Sequence, residues 1–505
     1  MRFNIVTGGF EEVGSHAHKP AVIGSDRSLT WAQLQVEAEA LAARITRLDL
    51  PLGEPVLIRG HKEAGMVAAI CACISLNRPY VPLDVVVPLE RVRRIRSATG
   101  ASLLIDHSPE APVDLAPITW SRAGESRSDQ PMLNGLVPDR PLDPIRYIIF
   151  TSGSTGEPKG VRITREAAEA FLLWMTNDFG FTADDVFVNQ APFSFDLSVY
   201  ELFTSLHMGA TLLLNDAETA KDAPRFLERV RAFGGSVWVS TPTFAYLYLT
   251  DLGFTGALVP SIRNFLFCGE ALPKATAQRL LERFPQARVL NTYGPTEATV
   301  ATTLIDVSLD VLARYADMPV GFPKRDSMIR CRTDDGAIAT KDAPGEIEII
   351  GKHVSIGYLN NDALNAEKFF EADGWRGFRT GDYGWFQDGI LFFTGRRDEQ
   401  VKLNGFRIEL GDIAACMLTA PGVADAIAVP LKSGDAVKRI VAFARPLPGT
   451  DESALIIALR EHMQRGLPAY MVPADLMLVD AFPVNSSHKT DRKALIELYM
   501  KRPRS

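Results

Sequence analysis

The chain has 505 residues, of which 46% are apolar and 23% are charged. A chain of this length is too long for a single hydrophobic core, which predicts at least two domains. The composition is that of a folded protein and excludes a disordered chain. The net charge of −7 argues against a nucleic-acid partner, because proteins that bind nucleic acid usually gather Lys and Arg on one face.

The N-terminal part of the sequence predicts neither secretion nor membrane insertion. The first residues, MRFNIVTGGFEE, do not combine a basic stretch with an apolar core. The longest apolar run, residues 66–76, covers about half a membrane span and therefore predicts a buried helix. The five scattered cysteines favour reduced thiols over a disulfide framework. We therefore expect a cytoplasmic protein.

Strands alternate with helical segments along the chain, which is typical of an α/β fold with largely parallel sheets. YIIF at 147–150 predicts a strand, the sequence TSGSTGEPKG follows as a loop, and VRI resumes an extended segment. Thr164 is a candidate N-cap for a helix over residues 165–175. A second loop, NTYGPTEAT at 291–299, is predicted after an apolar strand that ends at Leu290. Ligands bind at such strand ends in open α/β sheets.

The first loop has the composition of a polyphosphate site. Glycines let the backbone approach a phosphate, hydroxyl groups can donate hydrogen bonds to it, and Lys159 adds positive charge. A Walker loop is excluded, because its spacing is absent. A flexible linker is the alternative for a bare Gly/Ser stretch, but the flanking YIIF and EPKGV argue against it. The glycines and hydroxyl residues are Gly153, Gly156, Gly160, Thr151, Ser152 and Ser154.

From about residue 398 the strands and helices become shorter, which predicts a small C-terminal domain over 398–505 after a core of 1–397. Six segments then carry the strongest functional signal, and they are YIIFTSGSTGEPKGV (147–161), NTYGPTEAT (291–299), GEIEIIGKHVSIGYL (345–359), RTGD (379–382), GRRDEQVKLNGFRIELGDI (395–413) and KTDRK (489–493). In order and spacing they resemble the adenylate-forming superfamily, specifically amino-acid adenylation enzymes. The resemblance implies a large N-terminal multi-sheet domain and a small, mobile α+β C-terminal domain.

Four other segments narrow the resemblance to the D-alanine:D-alanyl carrier protein ligases, and they are NQAPFSFDLSVYELF (189–203), VWVSTPTF (237–244), FLFCGEALP (265–273) and ERFPQARVLNTYGPTEATVA (282–301). This family implies ATP and Mg²⁺, a small amino acid, and a carrier protein with a phosphopantetheine thiol. The carrier is expected to be a separate protein, because the chain has no attachment-serine segment after KTDRK.

The resemblance also implies the residues that bind ATP. Asp382 would bind the ribose hydroxyls, from a predicted turn that exposes it, and Glu297 would hold Mg²⁺. The other expected ATP residues are Thr151, Ser152, Gly153, Ser154, Thr155, Gly156, Lys159, Asn291, Thr292, Tyr293, Gly294, Pro295, Thr296, Phe393, Thr394, Gly395, Arg396 and Lys489.

For the amino acid, the resemblance implies that Asp196 binds the ammonium group and that Lys489 bridges the carboxylate and the α-phosphate as the catalytic residue. The pocket walls would be Leu197, Tyr200, Val239, Cys268, Gly269, Thr292 and Val300. Asp398 would be the hinge between the domains. Phe193 either gates the pantetheine tunnel or is a core aromatic residue.

The sequence departs from the family pattern in two places, at Ser487-His488 and at Tyr200. Ser487 and His488 stand where the family has Asn-Gly before the lysine, and Tyr200 stands where the D-alanine ligases have methionine. We expect D-alanine first, with glycine, L-alanine or D-serine as weaker substrates. The alternatives are a ligase for another small amino acid in a natural-product pathway, or an acyl-CoA ligase. The last has no reason to place the anion of Asp196 in its acyl pocket.

Overall fold

The structure, a computed structural model, describes residues 1–12, 17–108, 119–120, 145–151, 158–396, 400–433, 436–483 and 490–502. The chain divides into two compact units. Unit 1 comprises Met1–Val85, Arg96–Ile149 and Gly160–Arg397, and unit 2 comprises Val86–Ile95, Phe150–Lys159 and Asp398–Ser505. The described residues include no helix that is both long and apolar enough to span a membrane.

The strands of the described residues are β1 (Arg2–Asn4), β2 (Gly9–Glu11), β3 (Pro20–Ile23), β4 (Ser28–Thr30), β5 (Val56–Gly60), β6 (Tyr80–Asp84), β7 (Leu104–Asp106), β8 (Thr119–Trp120), β9 (Ile145–Thr151), β10 (Lys159–Thr164), β11 (Val186–Asn189), β12 (Thr211–Leu214), β13 (Val237–Ser240), β14 (Asn264–Phe267), β15 (Arg288–Tyr293), β16 (Thr303–Val307), β17 (Pro319–Pro323), β18 (Ser327–Arg332), β19 (Gly345–Gly351), β20 (Phe369–Ala372), β21 (Trp375–Gln387), β22 (Ile390–Arg396), β23 (Gln400–Leu403), β24 (Phe406–Glu409), β25 (Val423–Ser433), β26 (Ala436–Pro446) and β27 (Asp475–Leu478).

The α-helices are α1 (Trp31–Arg47), α2 (Ala64–Ser75), α3 (Leu89–Thr99), α4 (Arg165–Asp178), α5 (Ser198–Met208), α6 (Ala217–Lys221), α7 (Ala223–Ala232), α8 (Pro242–Leu249), α9 (Lys274–Arg283), α10 (Leu309–Arg314), α11 (Asp362–Lys368), α12 (Leu410–Leu418), α13 (Glu452–Gly466) and α14 (Arg492–Lys501). Two 3₁₀ turns lie at Thr296–Ala298 and Ala469–Met471.

Most strands before residue 397 belong to two large sheets. One sheet has the order β10-β9-β6-β5-β7-β8, and its β5, β6, β7 and β9 pairings are parallel. The other runs β18-β19-β21-β22-β17-β16-β15-β14-β13-β11-β12-β3-β4, with β20 paired to β21. Its strands are parallel from β3 through β15 except at the β3–β4 edge, and antiparallel from β15 onward. Strand β15 therefore lies at the boundary between the parallel and the antiparallel part of this sheet.

Local sequence explains why these strands are central. β13 and β14 read VWVS and NFLF and are buried along their whole length, as expected for parallel strands that are covered on both faces. Helix α2 is buried on all sides, from Ala64 to Ile74, because it is apolar all round and therefore belongs inside the core. This confirms the buried helix that the sequence predicts.

Unit 2 contains a hairpin and a three-stranded sheet. Strands β23 and β24 are joined by Asn404 (φ 52°) and Gly405 (φ 83°), and an Asn-Gly pair with two positive φ angles forms a type I′ turn. The sheet order is β25-β26-β27. Helices α12 and α13 pack with one hydrophobic cluster and α14 with another. The small C-terminal α+β structure therefore has its own core.

Three local predictions differ from the structure in detail. Helix α4 begins at Arg165 after the Thr164 N-cap, as predicted, but continues to Asp178. Strand β15 does not end at Leu290; it continues to Tyr293, since β16 pairs with these residues. The predicted exposed turn at Asp382 is wrong, because Asp382 lies within β21 and is only 2% exposed.

Candidate active site

Four neighbouring parallel strands bring the expected amino-acid pocket together. In the sheet order β11-β13-β14-β15, Ser240 pairs with Phe267, and Phe267 pairs with Asn291. The pocket residues Val239, Cys268 and Thr292 therefore lie next to one another, near the carboxyl ends of their strands. Asp196 follows β11 in the connection to α5. This edge is where open α/β sheets bind ligands.

Hydrogen bonds connect several of the expected pocket residues. The Tyr200 hydroxyl lies 2.8 Å from Thr292 Oγ1, which itself donates to the carbonyl of Phe267 at 2.8 Å. The Tyr200 hydroxyl is therefore the donor toward Thr292. Cys268 Sγ lies 3.7 Å from the Val300 carbonyl. Tyr200 is fully buried, and this burial, with Cys268 beside it, raises its pKa well above the ordinary range, so the phenol stays neutral.

The backbone at the Val300 wall is strained. Thr299 and Val300 both have positive φ, at 52° and 71°, in a region that β-branched residues rarely adopt. Ala301 N donates to the Thr299 carbonyl at 2.9 Å, so Val300 is the centre of a tight three-residue turn of the rare, strained kind. Strain of this type concentrates at functional sites. The sequence carries no signal of this strain, since Thr and Val ordinarily favour extended backbone.

The expected nucleotide residues Tyr293, Asp382 and Arg396 meet in one buried group. The Tyr293 hydroxyl donates to Asp382 Oδ2 at 2.6 Å, and Arg396 Nη1 donates to Asp382 Oδ1 at 2.7 Å. Both bonds are charge-assisted and short. The ring of Phe393 lies 5.8 Å from that of Tyr293. Burial and the neighbouring Asp382 carboxylate raise the pKa of Tyr293 well above its ordinary range.

The residues around this group support its backbone. Asn291 turns its side chain to the Pro319 carbonyl at 2.8 Å, so it ties β15 to β17. At Gly294 a Cβ atom would lie 2.5 Å from the Cα atom of Ala301, which only glycine avoids. Thr394 donates to the Tyr383 carbonyl at 2.8 Å. Pro295 and Gly395 belong to the same two segments, which are the loop after β15 and the end of β22.

Glu297, the expected metal ligand, lies in the 3₁₀ turn Thr296–Ala298 and is fully buried. Tyr358 donates its hydroxyl to Glu297 Oε1 at 2.7 Å. The described residues contain no group of three or more metal-ligating side chains. Mg²⁺ commonly takes one or two carboxylates and completes its shell with substrate phosphates and water, so a single carboxylate fits such a role.

Tyr358 has a role that the sequence reasoning missed. Its signal was available, because it lies in the segment GEIEIIGKHVSIGYL at 345–359, which the family resemblance used without assigning it a function. The contact itself joins residues 61 positions apart in the chain. Such a pairing follows only from the packing of β10 against the segment after β19, where Val161 bridges to Tyr358.

Several expected residues lie outside the described residues: Ser152, Gly153, Ser154, Thr155, Gly156, Asp398 and Lys489. On either side of the phosphate loop, Thr151 ends β9 and Lys159 begins β10. The Lys159 ammonium lies 3.7 Å from Glu409 Oε1 within unit 2. The strands predicted before and after the segment 151–160 are therefore present, but both extend into it, since β9 ends at Thr151 and β10 begins at Lys159.

Comparison with known proteins adds the following findings. A family described as AMP-binding enzyme matches residues 10–359, and the AMP-binding enzyme C-terminal domain matches residues 412–489. The D-alanine–D-alanyl carrier protein ligase of Bacillus cytotoxicus is 36% identical over 483 residues, which cover 94% of this chain and 95% of that protein. The ligase of the same name from Bacillus anthracis is 37% identical over 487 residues, with the same coverage of both chains.

Among solved structures, the Vibrio cholerae adenylation domain AlmE in complex with glycyl-adenosine-5'-phosphate is similar to this chain with a TM-score of 0.82. The match covers 99% of this chain and 97% of that one, at 23% identity. At this identity the likeness shows the fold, which is the expected α/β architecture with a large multi-sheet N-terminal part and a small C-terminal domain.

Proposed function

Because the chain belongs to the AMP-binding enzyme family, we propose that it activates a small amino acid, D-alanine first, with ATP and passes it to the phosphopantetheine thiol of a separate carrier protein. One observation carries this proposal. Consecutive residues of β15 face two different groups: Thr292 bonds to Tyr200 of the amino-acid pocket, and Tyr293 bonds to Asp382 of the nucleotide group. A single strand end thus joins the two sites whose ligands must react.

The amino acid is held at two points. Asp196 supplies an anion for the ammonium group, and Lys489 supplies a cation for the carboxylate, so the side chain at Cα meets the remaining wall. The space for this side chain is small, because Tyr200 limits it with a buried ring that is fixed by its bond to Thr292. Cys268 and Val300 are the nearest medium-sized neighbours, with Leu197, Val239 and Gly269 around them. A methyl side chain fits this description better than a large or aromatic one.

ATP is held by both predicted loops. Asp382 accepts the ribose hydroxyls; its oxygens already accept from Tyr293 and Arg396, but a carboxylate has about four acceptor positions, so two remain for the diol. The loop 151–156 with Lys159 contacts the phosphates, and residues 291–296 line the adenine and the α-phosphate. Phe393, Thr394 and Gly395 continue the nucleotide site, and the carboxylate of Glu297 suits Mg²⁺ bound to the phosphates.

The chemistry is an in-line attack of the amino-acid carboxylate on the α-phosphorus, with pyrophosphate as the leaving group. Both partners are anions in the ground state, so catalysis depends on positioning and on positive charge placed between them. Lys489 provides that charge, and no nucleophilic side chain is required. When bound, Mg²⁺ offsets the charge of the phosphates.

In the second step the carrier's thiol attacks the aminoacyl carbonyl and AMP leaves. The C-terminal domain, residues 398–505, serves the two steps in two orientations, with Asp398 as the hinge that absorbs the change in φ and ψ. Ser487 and His488 precede Lys489 in place of a glycine turn, so the lysine is presented by a backbone that disfavours positive φ.

Pyrophosphate exchange across a panel of amino acids tests the proposal. D-alanine should give the highest exchange, followed by glycine, L-alanine or D-serine. Asp196→Asn should raise the KM for the amino acid strongly and leave the KM for ATP nearly unchanged, because one partner of a desolvated ion pair is lost. Asp178→Asn, at the exposed end of α4, is the matched control. A maximum with an aromatic amino acid would refute the pocket.

Exchange with L-alanine above D-alanine would also contradict the substrate assignment, while the ligase reaction itself would stand. A carboxylic acid without an amino group, tested as a substrate in the same panel, distinguishes the acyl-CoA ligase alternative. The proposed enzyme should not activate it, because it leaves Asp196 without its ammonium partner.

A further inference from the structure

A buried lysine joins the two large sheets beside the amino-acid pocket. Lys62 lies in the connection between β5 and α2 and is 1% exposed. Its ammonium donates to Asn189 Oδ1 and to the Ala191 carbonyl, and it lies 4.5 Å from the centroid of the Phe193 ring. Strand β5 belongs to one sheet, and Asn189 ends β11 of the other. Lys62 therefore ties the sheets together at this point.

The loop that carries Lys62 is itself fixed. Ala217 N donates to His61 Nε2 at 2.9 Å, so His61 Nδ1 carries the proton and donates to Asp84 Oδ2 at 2.6 Å. His61 N donates to Glu63 Oε2 at 2.7 Å. Because the residues on both sides are held, the ammonium of Lys62 is directed toward the end of β11 and not toward solvent.

On the other side, the contacts reach helix α5. Asn189 Nδ2 donates to Glu201 Oε1 at 3.1 Å and lies 3.3 Å from the Ala191 carbonyl. Glu201 is fully buried and follows Tyr200 directly in α5. The network of Lys62, Asn189 and Glu201 thus fixes both ends of the segment 190–197, which connects β11 to α5 and contains Phe193 and Asp196.

Other bonds hold this segment as well, since the backbone N–H groups of Ser198 and Val199 in α5 donate to the carbonyls of Phe195 and Asp196 at 3.1 and 2.9 Å. Gln190 Nε2 donates to the Val239 carbonyl at 2.8 Å, and Phe195 N donates to the Pro192 carbonyl at 2.9 Å. The segment contains no helix or strand. The network at its two ends therefore contributes to its position, together with the bonds to α5 and to Val239.

The network is not explained by stability alone. Burial lowers the pKa of Lys62 and raises the pKa of Glu201, which shows that both charges are disfavoured where they lie. Lys62 and Glu201 are connected through Asn189, and well-packed apolar residues commonly replace buried charged groups without loss of stability. Buried polar groups are known in some proteins to fix one conformation among several. A conformational role at this place would act on the segment that carries Asp196.

We propose that Lys62 is a positioning residue for the amino-acid site: it holds the segment 190–197 in place, so that Asp196 meets the substrate ammonium. The role rests on the proposed function in one respect, the assignment of Asp196 to the ammonium group. It predicts a larger effect on the amino acid than on the nucleotide, because Tyr293, Asp382 and Arg396 are held together by bonds of their own.

Backbone hydrogen exchange tests the structural half of the proposal without any substrate. Lys62→Met removes the ammonium at similar side-chain length, and it should raise exchange within residues 190–197 by about tenfold or more, since buried acceptors lose their donor. Lys62→Arg should keep exchange close to wild type. If the methionine variant does not fold, Lys62→Gln takes its place, because its shorter and uncharged side chain should give a smaller rise in exchange at the same residues.

The matched control is Arg78→Met. Arg78 is also a buried cation, and it donates to the carbonyls of Pro51 at 2.8 Å and Leu50 at 2.7 Å, which lie in the connection between α1 and β5. It should leave exchange at 190–197 unchanged even where it lowers overall stability. Equal increases in both variants would show a general loss of stability and overturn the positioning role, as would unchanged exchange in Lys62→Met.

Kinetics test the functional half. Lys62→Met should raise the KM for the amino acid by about tenfold, change the KM for ATP less than about twofold, and recover in Lys62→Arg. Equal rises for both substrates would overturn the proposal. If no amino acid of the panel supported pyrophosphate exchange by the wild-type protein, the proposed function would be refuted. Hydrogen exchange would still decide whether Lys62 positions the segment 190–197.

Discussion

Replacing Asp382 by asparagine tests whether the buried nucleotide group stabilises the fold as its geometry indicates. Asp382 accepts from Tyr293 and Arg396 at 2.6 and 2.7 Å, and the side chains of Arg396 and Asp382 are 11% and 3% exposed. The two bonds go to different carboxylate oxygens, and asparagine replaces one of these oxygens with an NH₂ group that can only donate, so it cannot accept both bonds in this geometry. Arg396 would lose its carboxylate partner in a mostly dry environment.

The size of the effect follows from burial. Breaking a buried ion pair by removing one partner costs about 3–5 kcal/mol, because the other charge is left uncompensated. Arg396 retains some access to water, so we expect the lower end, about 3 kcal/mol. The same variant should raise the KM for ATP, because the ribose hydroxyls lose their acceptor.

The matched control is Asp306→Asn. Arg288 Nε donates to Asp306 at the same 2.7 Å, but these side chains are 40% and 48% exposed, and exposed ion pairs contribute about 0–1 kcal/mol. Urea unfolding followed by tryptophan fluorescence, to which Trp385 of β21 contributes, measures both variants. If Asp382→Asn lowers the free energy of unfolding no more than Asp306→Asn does, burial does not decide the strength of these ion pairs and the reasoning is refuted.

Four further outcomes are expected. Burial lowers the pKa of His107 from 6.5 to about 4, so the unfolded chain binds more protons in this window and the free energy of unfolding falls as the pH drops from 6.5 to about 4. His107→Gln should flatten that slope in urea titrations. Gly294→Ala should lower the unfolding free energy by about 1–3 kcal/mol, since its methyl group meets Ala301. Cys268→Ala should raise pyrophosphate exchange with L-alanine relative to D-alanine, because a change of this size in an apolar pocket alters the discrimination between two substrates by about 1–3 kcal/mol. Lys489→Ala should lower adenylation by about 10²–10³-fold while sparing transfer from supplied aminoacyl-adenylate.

The sequence predicts best those elements whose pattern is set by burial alone. The apolar run at 66–76 is a helix inside the core, α2, and the short apolar runs of β13 and β14 are buried parallel strands. Thr164 caps α4 through the bond from Ala167 N at 3.0 Å, since an N-cap is a local interaction that needs no knowledge of the fold. The family motifs predict the pocket and nucleotide residues by position, and the structure brings Tyr293, Asp382 and Arg396 of that prediction together.

What the sequence could not provide is the pairing of residues far apart in the chain. Asp382 follows Thr-Gly, a local pattern typical of an exposed turn, yet β22 and β19 pair with its strand on both sides and bury it. Tyr293, which lies 89 positions away, then supplies its hydroxyl donor. Lys62 shows the same effect: alone it is an ordinary surface lysine in the sequence, but its bond to Asn189 spans 127 positions. In both cases a polar residue is buried because a distant element provides its partner, and no local window contains that partner. A local reading of the sequence therefore assigns to the surface two residues, Lys62 and Asp382, whose distant partners bury them.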